Sequence, residues 1–256
     1  MINIKSSEEI KILREGGKIL ASILSEVARK VKPGLATVEL DQLSEKLIRK
    51  NNGEPSFKNY KTRDDRFSYP ASLCVSINDE IVHGIPSKNR ILKQGDIVSL
   101  DLGMKYKNLY TDMATTIGVG KISDQAEKLI DVTKKSLALG IKSIKDGACI
   151  GDIGSAIQLY AEKNGFNVVR QLVGHGVGYK VHEMPDIPNY GSKGTGLKLK
   201  KGMVLALEPM IVIGSSDIIL DKDNWTWKTK DGLLSAHFEH TVAVTRNGAE
   251  ILTKIQ

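Results

Sequence analysis

Apolar residues recur every three or four positions through SSEEIKILREGGKILASILSEVARKV, residues 6–31, which predicts an amphipathic helix stopped by Pro33 and Gly34. Ser6 with Glu9 has the form of a capping box at its start. The same periodicity predicts helices over 37–53, 123–145 and 150–165, closed by Gly53, by Asp146 with Gly147, and by Gly165. Between and after them the pattern shortens to apolar or alternating runs bounded by turn residues: CVSIN, EIVHGI, DIVSLDLGM and YTDMATTIGV in the first half, NVVRQLVG, MVLALEPMIVIG and HFEHTVAVT in the second. Helices in blocks followed by strands in blocks imply an α+β fold with antiparallel sheets. VKPG at 31–34 echoes IKDG at 144–147, and EKLIRKNNG echoes LYAEKNG, a period of about 113 residues with a one-residue slip. The expectation is one domain over residues 1–256, with pseudo-repeats of about 1–120 and 121–256 related by a pseudo-twofold axis.

Candidate chemistry falls on the strands. In VSLDLGMKYKNLYTDMATT, a two-residue turn at Tyr106 and Lys107 would set Asp101 directly across the ladder from Asp112. Carboxylates so placed have Cβ atoms roughly 5 Å apart and repel, which a fold tolerates when a proton or cation sits between them. Any even-length loop keeps the two on one face, while Val98, Leu100 and Leu102 fill the other. In CVSINDEIVHGIP, a turn at Asn78 and Asp79 would likewise set Cys74 opposite His83, although a buried structural histidine explains that hairpin equally well. Glu208 in MVLALEPMIV and Glu239 in HFEHTVAVT are isolated acids within apolar strands, where an unpaired carboxylate costs several kcal/mol. Asp101, Asp112, Glu208 and Glu239 with one imidazole would suit two divalent cations.

Residues 174–185, GHGVGYKVHEMP, carry two candidate imidazoles. Glycines at alternate positions exclude a helix, so the segment is extended or looped. A spacing of seven then sends His175 and His182 to opposite sides unless a bulge intervenes, which implies different tasks. For either histidine alone, a solvated loop is the ordinary explanation. Only one of them would complete the metal set.

Composition narrows the setting. A hydrophobic fraction of 41% is that of a globular protein, and two cysteines, Cys74 and Cys149, exclude a disulfide framework and suit a reducing compartment. The start, MINIKSSEEIKIL, is acidic where a targeting peptide would be basic, and no apolar run has membrane-spanning length, so a cytoplasmic location is expected. A net charge of +7 comes from lysines scattered through every region, which implies a solvated basic surface rather than a dedicated nucleic-acid site and leaves room for transient association with the ribosome.

Taken together, HGIP, the Asp101 and Asp112 pair, GHGVGYKVHEMP, LEP and FEHT, in this order along the chain, closely resemble methionine aminopeptidase of the bacterial type I. The resemblance implies a pita-bread fold and a dinuclear centre of manganese, iron(II) or cobalt. In it Asp112 and Glu239 bridge the metals, Asp101 chelates one, and His175 with Glu208 binds the other. It further implies that His182 contacts the scissile carbonyl, that His83 touches the substrate from the opposite side, and that Glu208 shuttles a proton. The methionine pocket would be lined by Tyr69, Cys74, Val181 and Trp225. The implied activity is removal of N-terminal methionine from nascent polypeptides with a small second residue, by a monomer. A prolidase-like peptidase of the same fold would be expected to carry a further N-terminal domain. The chain departs from the pattern at Val181 and Arg66, where bulkier aromatics are usual, and at His237, where glutamine is usual. Alternation places His237 on the side of Glu239 and His240 on the other. His237 is therefore expected at the metal cleft, as a hydrogen-bond donor to a ligand carboxylate that adds pH sensitivity near neutrality, or at its rim.

Overall fold

The computed structural model describes residues 2–62 and 66–255. In chain order its first half comprises α1 (Ser7–Ala28), α2 (Thr37–Lys50), β1 (Glu54–Pro55), β2 (Leu73–Ile77), β3 (Glu80–Val82), β4 (Ile97–Tyr106) and β5 (Leu109–Gly118). The second half comprises α3 (Asp124–Lys142), α4 (Ile150–Lys163), β6 (Asn167–Val168), β7 (Gly174–Gly176), β8 (Glu183–Ile187), β9 (Val204–Leu207), β10 (Met210–Val212), β11 (Ile218–Leu220), β12 (Trp227–Thr229), β13 (Ser235–His237), β14 (His240–Val244) and β15 (Ala249–Ile251). All recorded strand pairs are antiparallel, as expected for the α+β class.

Each half buries a helix pair on the outer face of its sheet. Leu20, Leu24, Val27, Leu40 and Ile48 of α1 and α2 pack on Val98, Leu100, Leu102 and Met104 of β4. Leu129, Leu137, Ile153 and Ile157 of α3 and α4 pack on Leu205, Leu207, Ile211 and Val242. Ser6 caps α1, accepting the Glu9 N–H at 3.3 Å while the Glu9 carboxylate takes the Ser6 N–H at 2.7 Å.

The two halves repeat at the level of single hydrogen bonds. Gly34 and Gly147 take positive φ, 86° and 82°, ahead of α2 and α4. Ala36 and Cys149 each form an isolated bridge, and each gives its N–H to the acid three residues on, Glu39 at 3.0 Å and Asp152 at 2.8 Å. Both helices then run 14 residues and end on Asn51 and Asn164. The next residue is left-handed in each half: Asn52 at 58° and Gly165 at 85°. The one-residue slip inferred from the sequence therefore disappears. It came from matching glycines, whereas asparagine, which tolerates left-handed backbone, does in the first half what glycine does in the second.

Strand register departs from expectation in two places. β4 and β5 turn at Lys107 and Asn108, both with positive φ (46° and 67°), not at Tyr106 and Lys107. Asn108 supplies the left-handed conformation that a two-residue hairpin turn demands. Asp101 consequently lies opposite Ala114, and Asp112 opposite Gly103. The two aspartates are diagonal neighbours, still on one face because the shift is by two. Likewise Cys74 lies opposite Asp101 rather than His83, because β2 pairs with β4 while β3 joins β12.

The β4–β5 sheet meets the second half along a seam that side chains complete. The Glu239 N–H donates to Ala114 O at 3.0 Å. On one side, the Thr241 hydroxyl accepts the Asp112 N–H (2.9 Å) and donates to Asp112 O (2.7 Å). On the other, the Thr116 hydroxyl accepts the His237 N–H and donates to His237 O, both at 2.8 Å. A hydroxyl can stand in for a ladder partner because it donates one hydrogen bond and accepts others. Thr241→Val, equal in shape, strands the N–H and C=O of Asp112, and is expected to destabilise the protein by about 2–4 kcal/mol in chemical denaturation, from two buried groups. An unchanged midpoint would show that the seam does not depend on this hydroxyl.

Candidate metal centre and active site

β9 and β10 are separated by Glu208 and Pro209, and β13 and β14 by Phe238 and Glu239. At these breaks each chain leaves the sheet that contains β7, β9 and β14 and enters the sheet that contains β6, β10 and β13, or the reverse. Proline has no N–H for the ladder, which ends β9 there. Register carries through the gap, with Leu207 opposite His240 and Met210 opposite His237, so Glu208 and Glu239 are level. The acids expected inside continuous strands therefore sit at crossover points. In an unbroken strand they would enter the apolar layer, whereas here they face a cleft bordered by Asp101 and Asp112.

His175 comes from β7, which packs between β8 and β9. A Cβ on Gly174 would lie 2.5 Å from Ala206 O, and one on Gly176 would lie 2.4 Å from Met184 O, so only glycine lets the strand sit this close. The His175 Nδ1 is 2.9 Å from Gly176 O. A carbonyl can only accept, so Nδ1 carries the proton and Nε2 offers its lone pair to the cleft, 3.4 Å from Glu208 Oε1. Burial first, then the nearby His182 and His83, push the His175 pKa down to about 3, which keeps the imidazole neutral. β7 and β8 form a hairpin with an irregular register, and this brings the His175 and His182 rings to 4.3 Å, nearly perpendicular. The opposite-sides expectation is overturned because the chain reverses between them. The His182 Nδ1 meets the Tyr60 hydroxyl at 2.7 Å.

Ligand atoms of Asp112, His175 and Glu239 lie within 4.8 Å of one another. Asp101 and Glu208 border the same cavity. Burial raises all four carboxyl groups: Asp101 to about 7 and Glu208 to about 8, Asp112 and Glu239 well above the ordinary range, with mutual repulsion adding to the burial of Asp112 and Glu239. Asp101 Oδ1 and Glu239 Oε1 are buried without a hydrogen-bond partner. Buried carboxylate oxygens that lack a protein donor, beside a neutral imidazole, fit divalent cations.

His237 is buried, so the rim reading is excluded. Its Nε2 is 3.5 Å from Glu208 Oε2 and neither ring nitrogen makes a hydrogen bond. Burial holds its pKa below the ordinary value, with the Asp101 charge opposing.

The cluster forms part of the wall of a cavity of about 290 Å³. Tyr69, Cys74 and Trp225 line it, with the Tyr69 and Trp225 rings edge to face at 5.3 Å, and His83 and His182 border it. Val181 is buried in the same apolar cluster but does not line the cavity; the longer Phe57 and Tyr60 do, and sequence reasoning missed both. Asn189, which holds Glu208 O at 3.0 Å, was missed too, because nothing local marks it. Arg66 borders an adjoining cavity of about 280 Å³ that shares Tyr60, His83, His182 and Trp225 with the first.

The profile of metallopeptidase family M24 matches residues 11–246. The chain is 48% identical over 256 residues to the methionine aminopeptidase of Clostridium perfringens, covering 100% of both. The chain belongs to the methionine aminopeptidase family. It is also similar to the crystal structure of methionine aminopeptidase from Thermotoga maritima, with a TM-score of 0.95 and 45% identity over 99% of this chain and 100% of that one. The prolidase from Pyrococcus horikoshii has a TM-score of 0.78 at 23% identity, covering 99% of this chain and 64% of that one, a likeness of fold alone. The chain thus has the bacterial-type pattern and the pita-bread fold of that family, and it is an aminopeptidase, a metallopeptidase hydrolase that acts on peptide N-termini. Among the described residues no helix is long and apolar enough to cross a membrane.

The raised carboxyls make stability depend on pH and metal. Without metal, the folded protein keeps protons on Asp101 and Glu208 up to about 7 and 8, whereas the unfolded chain loses them near the ordinary 3.8 and 4.5. The folded state binds more protons in that window, so its stability falls as pH rises. The chelator-treated protein is expected to melt at a lower temperature at pH 8.5 than at pH 6, and the rise in Tm on adding a divalent cation such as Mn²⁺ should grow over the same range. A metal-free Tm that is flat or rising with pH would contradict this.

Proposed function

We propose that the enzyme removes N-terminal methionine from nascent polypeptides with two divalent cations held by Asp101, Asp112, His175, Glu208 and Glu239, and that it favours a small second residue. The observation that carries this reading is the junction of four carboxyl groups and a neutral imidazole with one small apolar cavity. When bound, the cations supply a nucleophile at neutral pH and Lewis-acid stabilisation of developing negative charge. Asp112 and Glu239 would hold both ions, Asp101 one of them, and His175 with Glu208 the other. Hard oxygen donors with one imidazole suit manganese, iron(II) or cobalt.

The chain's own residues do the rest. Tyr69, Cys74, Trp225 and Phe57 offer an apolar slot to the methionine thioether and keep water from it. His182 donates to the carbonyl oxygen as it gains charge, and His83 contacts the substrate from the other wall. Glu208 takes the proton released as the nucleophile forms and gives it to the departing amine. The residue after methionine must pass the wall shared by the two cavities, formed by Tyr60, His83, His182 and Trp225, which penalises bulk there. The enzyme works as a cytoplasmic monomer whose basic surface permits transient association with the ribosome, without a dedicated nucleic-acid site.

Metal analysis with release of methionine from Met-Ala-Ser and Met-Leu-Ser tests this directly. About two ions per chain are expected, with kcat/KM for the alanyl peptide higher by roughly 10- to 200-fold. One ion at full activity, or equal rates, would refute the corresponding half. Asp112→Asn and Glu239→Gln should each abolish turnover, because a neutral amide bridges cations poorly. His182→Ala should lower kcat by roughly 10²–10³-fold with metal content kept; loss of metal instead would make His182 a ligand.

A further inference from the structure

Glu183 follows His182 directly, and both of its carboxylate oxygens are engaged. Oε2 accepts from Lys5 Nζ at 2.7 Å and from Asn3 Nδ2 at 2.6 Å. Oε1 accepts from the Tyr179 N–H and, at 2.9 Å, from the Lys180 N–H. The Lys5 and Glu183 side chains are 1% and 3% exposed, so this is an ion pair removed from water. Burial alone would raise the Glu183 carboxyl, but the donors from Lys5, Asn3 and Lys180 hold it below the ordinary value. Further contacts attach Lys5 to the same place. Its ammonium lies 4.5 Å from the centroid of the Tyr179 ring, and its N–H donates to Gly202 O at 2.8 Å. A Cβ on Gly178 would lie 2.4 Å from Lys5 Cε, so the loop leaves room for this side chain. The Tyr179 hydroxyl donates to Glu9 Oε1 at 2.7 Å, and Glu9 also holds the first turn of α1.

The segment ahead of α1 is thereby fastened to the turn that carries His182, although the two are some 178 positions apart in sequence. His182 is exposed, with Tyr60 and His175 against its ring, and its backbone runs directly into Glu183. A buried pair of charges is a costly way to gain stability, because desolvation offsets most of the attraction, and it is better suited to imposing one geometry. We propose that the Lys5–Glu183 ion pair is a positioning clamp that fastens the N-terminal segment to the 177–182 turn and so fixes the His182 imidazole for turnover. This rests on the proposed role of His182; Glu183 and Lys5 are positioning residues and touch no substrate.

The test uses full-length, metal-loaded enzyme with Met-Ala-Ser. Glu183→Gln and Lys5→Met are each expected to lower kcat by roughly 10- to 100-fold, the scale of a displaced catalytic group, with KM and metal content within about threefold of the parent. The double variant Lys5→Met/Glu183→Gln buries no charge and should fold with a near-parental Tm, yet remain low in kcat. His182→Ala should cost far less in the Glu183→Gln background than in the parent, since the same contact has already been weakened. Parental kcat in the folded double variant, or losses that multiply fully with His182→Ala, would overturn the clamp. Parental kcat in His182→Ala itself would instead remove the group being positioned, and with it both the clamp and the proposed role of His182. If either single variant fails to fold, the double variant still decides.

Discussion

Withdrawing a carboxylate from water costs several kcal/mol when no opposite charge accompanies it, and Asp101, Asp112 and Glu239 are buried together with Glu208 beside them. A fully buried leucine or valine returns only about 1.5–3 kcal/mol, so the apolar layers under the helices are under constant demand from this one polar junction. The demand explains why the acids stand at the seam between the two halves. There each carboxyl can face its neighbours across a cleft, whereas in the interior of either half it would face only hydrocarbon.

The seam is stiff for an equally physical reason. The backbone groups of Asp112 and His237 are completed by the hydroxyls of Thr241 and Thr116 instead of by a regular ladder. Replacing ladder bonds with side-chain bonds lets each strand end its pairing where an acid must turn into the cleft, without leaving buried N–H or C=O groups unpaired. The two helix pairs then hold the two sides of the seam from outside. Fold and site are in this sense one arrangement, because the chemistry stands where the two halves meet.

The histidines divide by their surroundings. His175 is buried, neutral and has its proton fixed on Nδ1 by a carbonyl, which is what a ligand requires. His182 is exposed beside it and precedes Glu183, which pairs with Lys5. His237 stands behind Glu208, its Nε2 3.5 Å from Oε2, with no hydrogen bond from either ring nitrogen.

Much of this was legible along the chain, because the relevant properties are local. Helical periodicity and caps located α1 to α4 to within a few residues. Strand parity put Asp101 and Asp112 on one face wherever the turn fell, and isolated acids among apolar residues marked Glu208 and Glu239. What escaped was set by segments distant in sequence. The turn at Lys107 and Asn108 displaced the aspartates to diagonal positions, the hairpin of β7 and β8 brought His182 against His175, and the ties of Thr241 to Asp112 and of Lys5 to Glu183 span 129 and 178 positions. By itself the sequence determined where the four helices run, that Asp101 and Asp112 share a face, and which groups could not be left alone in the interior. Only the tertiary structure decided which of them meet, since alternation and periodicity belong to the backbone of a single segment, while register and contact depend on how separate segments pack together.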